Sequence, residues 1–139
     1  MKKSLLLLSV FAIIFTSCNN DDDSPPPTID PIIGIWTYHK SFINDVEQIL
    51  TDCETEATLN FNSNGSYSYA FYEVTSGVCQ LEESLSGTWT NAQDGMYTIT
   101  LEGEATTGPV TFENNTFFIV TTEINQGLAI VYKEVYIKQ

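Results

Sequence analysis

The chain has 139 residues, 42% of them hydrophobic and 12% aromatic, and its 5 basic residues, all lysines, face 18 acids for a net charge of −13. A chain so poor in cations cannot displace counterions from phosphates, which excludes nucleic-acid binding and disfavours loose adhesion to anionic headgroups. The length suffices for one domain with one modest core.

Lys2 and Lys3 open the chain, and an apolar run broken only by Ser9 extends from Leu5 to Phe15. That run of about 11 residues matches the hydrophobic region of an export signal and falls short of the roughly 20 residues of a spanning helix. Thr16, Ser17 and Cys18 follow. "FTSC" resembles the lipobox of bacterial lipoproteins. The resemblance implies that residues 1–17 are a signal peptide removed by cleavage, and that Cys18 receives a diacylglyceryl group and becomes the first mature residue. Two or three acyl chains, at about 0.8 kcal/mol per buried methylene, hold a protein to a membrane without a hydrophobic helix. The mature chain would carry 3 lysines against 18 acids, 3 − 18 = −15.

Residues 18–31 read as a tether. Asp21, Asp22 and Asp23 repel one another and stay solvated, and Pro25, Pro26 and Pro27 favour an extended backbone. The acidic triplet also resembles the surface-export signal of some Gram-negative lipoproteins; a plain acidic linker is the alternative. The expected location is the cell envelope, as an outer-membrane lipoprotein on either face. Cys53 and Cys79 remain, and an even pair in an exported protein predicts a disulfide. It would close a loop of roughly 27 residues, stabilising the fold by about 3–4 kcal/mol. A redox pair is the alternative, without a C-x-x-C spacing to support it.

From residue 32 to 139 the sequence predicts one all-β domain. Period-two segments bounded by turn residues lie at 34–43, 57–62, 66–74, 81–90, 96–102, 109–113, 116–124 and 128–138, with a short strand or helical turn near 46–50. Ala57, Leu59 and Phe61 share a face, as do Tyr67, Tyr69 and Phe71, and Tyr97, Ile99 and Leu101. Eight or nine sequential strands with short turns predict a small antiparallel up-and-down barrel, which removes sheet edges by closure. A sandwich is the competing architecture.

The order of "GIW" at 34–36, Cys53, "LNFNSNGSYSY" at 59–69, Cys79, "SGTWT" at 86–90 and "YTITL" at 97–101 resembles the bacterial lipocalin-like domain family of small lipoproteins. The resemblance implies that Trp36 plugs one barrel end, with Lys133 or Lys138 standing where lipocalins carry an arginine.

Catalytic machinery is sparse. His39 is the single histidine, and the adjacent Glu82 and Glu83 face opposite ways on a strand. The expectation is a protein that is not an enzyme and needs no metal or other cofactor. Trp36, Tyr67, Tyr69, Phe71, Trp89, Tyr97, Phe112 and Phe118 could line one interior. Such rings suit an apolar small-molecule ligand, or they fill the core, which would leave an envelope protein partner as the target. Binding is favoured by the family resemblance.

Overall fold

The computed structural model describes residues 28–139; the expected signal peptide, Cys18 and the tether as far as Pro27 lie outside the described residues. Ten strands follow one another: β1 Gly34–Ile43, β2 Val46–Gln48, β3 Thr58–Phe61, β4 Ser66–Thr75, β5 Val78–Gln93, β6 Met96–Leu101, β7 Glu104–Pro109, β8 Thr111–Glu113, β9 Thr116–Asn125 and β10 Leu128–Lys138. A single 3-10 turn, Glu54–Glu56, precedes β3. The predicted helical option near 46–50 is instead β2, which pairs with the end of β1.

All pairings are antiparallel and belong to one sheet, ordered β7-β6-β5-β4-β3-β1-β10-β9-β8. That order is an up-and-down meander wrapped so that the last strand lies beside the first. Its two ends, β7 and β8, are separated only by Val110, so one run of chain joins the two margins. A continuous wrapped sheet is the predicted barrel and not the two-sheet sandwich. β7 was not among the predicted strands. Its sequence, EATTGP, is polar, mostly exposed and ends in proline, and it pairs on one side only. Such an edge strand carries no apolar alternation to detect.

Closure leaves a seam. The first half of the split strand pairs with β6 and the second half with β9. β8 covers β9 only from Thr116 to Phe118. Above that point β7 and β9 approach each other without pairing.

One pole of the barrel is sealed by aromatic packing. Phe117, with 0% exposure, meets Trp36 edge-on at 4.7 Å between centroids and stacks on Tyr136 at 5.0 Å. Phe112 lies 6.0 Å from Phe117, and Phe61 lies 5.0 Å from Tyr67 and 5.9 Å from Trp89. Tilted and edge-to-face rings of this kind are favoured by the ring quadrupole. Both indoles are satisfied: Trp36 Nε1 donates to the Ile32 carbonyl at 2.7 Å, and Trp89 Nε1 to the Asn62 carbonyl at 2.9 Å.

The amino-terminal segment is bonded into this base. Asp30 Oδ1 accepts from the Tyr97 hydroxyl at 2.8 Å, and Asp30 Oδ2 from Asn91 Nδ2 at 2.6 Å. Lys138 Nζ donates to the Pro31 carbonyl at 3.3 Å and lies 5.0 Å from the centre of the Trp36 ring. Of the two lysines expected to meet the plug tryptophan, Lys138 therefore does so. Asp30 and Pro31, read from sequence as the end of the tether, are part of the packed base.

Both G-x-W glycines have a reason. A Cβ on Gly87 would collide with the Thr100 carbonyl of β6, and Gly34 holds a φ of +137°, which side-chain-bearing residues rarely adopt. At the other pole a disulfide joins Cys53, beside the 3-10 turn, to Cys79 on β5. It staples the long β4–β5 hairpin to the loop before β3.

Candidate ligand-binding site

Above the aromatic base the strands line a half-open cavity of about 660 Å³. Its floor is made by Ile32, Phe61, Tyr67, Tyr97 and Phe117, and its walls by Leu59, Tyr69, Leu85, Ile99, Leu101, Ile119 and Tyr136. The remaining wall is the seam, with Thr106 to Val110 on one side and Val120 to Thr122 on the other. The position of each side chain follows from register. Residues opposite one another in an antiparallel ladder face the same side. Leu59 faces Tyr69, Tyr69 faces Leu85, Ile99 faces Thr106 and Ile119 faces Glu134. The walls thus descend from single rows on each strand.

Register also separates the predicted residues. Tyr67, Tyr69 and Tyr97 line the cavity. Trp36, Trp89 and Phe112 pack in the base beneath it. Phe71 stacks beside Tyr69, centroids 6.4 Å apart, and does not reach the cavity wall. Phe118 is on the opposite face of β9, under Lys133 Nζ at 4.1 Å; Phe117 is the inward residue. In the run "TFFIV" every residue from 117 to 120 is apolar, so alternation cannot set the phase, and the pairing of Phe117 with Tyr136 does. A bulge between Tyr38 and Lys40 likewise resets β1, so that Ser41, and not Lys40, opposes Glu134. His39 is exposed at that bulge, outside the cavity lining.

The interior is mostly apolar but carries hydroxyls and one carboxylate. Tyr136 donates its hydroxyl to Glu134 Oε2 at 3.0 Å. Burial, and then the Glu134 charge, push the Tyr136 phenol well above its usual range. Burial does the same for Tyr67, and for Tyr97 with Asp30 adding to it. Burial followed by Glu83 and Glu134 raises Tyr69. All these phenols stay neutral donors across ordinary pH. Leu85, Phe117, Glu134 and Tyr136 line the site without having been singled out from sequence. A lone glutamate between Tyr132 and Tyr136 at two-residue spacing was the available signal for Glu134.

At the far pole the barrel is unsealed. The upper halves of β4, β5, β9 and β10 contribute no buried side chain. Val46, Ile49, Val74, Val78, Leu81, Ile124 and Leu128 are exposed there and surround the mouth with apolar surface.

The model of the lipocalin-like domain family matches residues 32–119. The chain belongs to that family. This lipocalin-like domain is also similar to two solved structures. One is an odorant binding protein, OBP1, at 17% identity and TM-score 0.45, covering 80% of this chain and 75% of that one. The other is a deswapped triple mutant of bovine odorant binding protein, at 16% identity and TM-score 0.43, covering 79% and 75%. No curated protein matches the chain. Lipocalin folds are typically binding scaffolds, and a fold of this kind is compatible with a small ligand.

Proposed function

We propose that this lipocalin-like domain binds a small, largely apolar molecule in its central cavity, and does so from a lipid-anchored position in a bacterial cell envelope. The cavity carries the binding half of the reading. Its volume is about 660 Å³, its walls are mainly Leu, Ile, Phe and Tyr, and it is continuous with the seam. Volumes of about 300–1,000 Å³ with apolar walls and few polar groups are typical of small-molecule sites. A role as a filled-core interaction module would not need this empty volume. The envelope half rests on the lipobox-like "FTSC", with residues 1–17 as leader, Cys18 as the acylated residue and the residues from 18 as far as Ile29 as the tether to the domain, whose base includes Asp30 and Pro31.

Titration of the purified protein with phenylnaphthylamine, an uncharged dye that fluoresces in apolar sites, tests the binding half. Saturable uptake is expected, with one site per chain. Leu85→Trp, which fills the wall between Tyr69 and Gly87, should abolish it while leaving the fold intact. A dye that does not bind, or that binds Leu85→Trp equally well, refutes cavity binding. Mass spectrometry of the mature amino terminus tests the anchor: an unmodified residue 18 refutes it.

A further inference from the structure

We infer that the cavity selects organic cations: an apolar body lies against the tyrosine walls and a protonated amine lies at Glu134, while a carboxylate on the same body is rejected. This rests on the cavity-binding reading and adds the charge of the ligand to it.

Among the described residues, Glu134 is the single charged side chain lining the cavity. It is exposed although its register position faces inward, opposite Ile119 and Ser41. Its carboxylate is therefore reachable from the lumen. It accepts one hydrogen bond, from Tyr136, and a carboxylate has capacity for several more. The half-buried Tyr69 ring on the cavity wall offers a π-face, to which an ammonium is attracted and a carboxylate is not.

The surroundings reinforce the sign. Towards the mouth, inward-register positions on three further strands are acidic: Glu83 opposite Phe71, Glu104 opposite Leu101 and Glu123 opposite Ile130. The three lysines of the described residues are all turned elsewhere. Lys40 pairs with Glu47 at 3.1 Å, Lys133 lies over Phe118 on the outer face, and Lys138 is at the sealed base. An anionic headgroup entering this lumen meets negative potential and no cation, whereas leaving a charge unpaired in an apolar cavity is strongly unfavourable.

The test compares ligands of one chain length. Decylamine, decanol and decanoic acid are each titrated against the purified protein holding phenylnaphthylamine. Decylamine should displace the dye at concentrations at least about tenfold below those of decanoic acid, with decanol between them. Glu134→Gln keeps an oxygen to accept from Tyr136 and should bring decylamine to within about threefold of decanol. Glu113→Gln removes an exposed charge beside the base, opposite Thr116 on the outer face, and should leave the ranking unchanged. Equal or tighter displacement by decanoic acid while the dye still binds overturns cation selection and spares cavity binding. An equal effect of Glu113→Gln and Glu134→Gln also overturns it, because the preference would then be a general surface field. Failure of the dye to bind removes cavity binding itself, and this inference with it.

Discussion

Replacing Phe117 by alanine should be far more damaging than replacing its neighbour Phe118. Phe117 is fully buried and touches Trp36, Phe112 and Tyr136 at the base of the barrel. Truncating a buried phenylalanine costs about 3–5 kcal/mol through lost transfer energy and the void left behind. The void would also merge with the existing cavity, which limits collapse of the surroundings and places the cost near the upper end. Domains of this size are stable by only about 5–15 kcal/mol. At about 4 °C per kcal/mol, Tm should fall by roughly 12–20 °C. Phe118 is half-buried under Lys133, a contact worth about 0.5–1 kcal/mol at such a site, so Phe118→Ala should lower Tm by roughly 2–4 °C. Thermal unfolding followed by tryptophan fluorescence reads both, since Trp36 and Trp89 lie in the base. Phe117→Leu keeps a measurable fold if the alanine variant does not express. Equal losses at the two positions, or a larger one at 118, would refute the register of β9 and with it the placement of the cavity wall.

Gly87→Ala should destabilise by about 1–3 kcal/mol or more, visible as a lower urea midpoint, because its methyl would meet the Thr100 carbonyl. A midpoint equal to that of the parent chain would contradict the close β5–β6 approach. Reducing Cys53–Cys79 should cost about 3–4 kcal/mol by the loop-closure relation and should loosen the β4–β5 hairpin before the base, as hydrogen exchange would resolve. Tyr67, Tyr97 and Tyr136 are held above their ordinary value in the fold. The folded state therefore keeps these protons when the unfolded chain has begun to release its own. Their contribution is complete below about pH 10 and is lost as pH rises beyond it. The phenolates of these three should accordingly appear together with loss of near-UV dichroism, and their titration ahead of that loss would contradict their burial.

Much of this architecture is legible in the chain. Strict alternation at Leu59/Phe61, Tyr67/Tyr69 and Tyr97/Ile99/Leu101 predicts both the strands and their inward faces, because each has one wet side. The Cys53–Cys79 disulfide is the pair expected once the chain is read as exported and Cys18 is set aside. What escapes is set by contacts remote in sequence. Glu104–Pro109 is polar because it borders the seam, so nothing local identifies it as a strand. Phe117 and Phe118 are indistinguishable until β10 fixes the phase. Lys138, and not Lys133, meets Trp36 because the ladder places it directly opposite, whereas Lys133 lies opposite Phe42 near the other end of β1. Whether aromatic residues fill an interior or surround a void depends on the girth of the closed sheet, which no single segment encodes. Glu134 is hidden in the sequence for the same reason: an acid on a strand normally marks the solvent face, and here solvent reaches inside.

Asp30 and Pro31 join the barrel at its sealed end, through Tyr97, Asn91 and Lys138. A pull on the chain ahead of Asp30 would be delivered to that end, and the Asp30 clamp would be the first bond set to feel it. The opposite rim lies off that line of tension. Were the domain held by its amino terminus, it could be dragged or tilted while its opening still pointed away from the point of attachment.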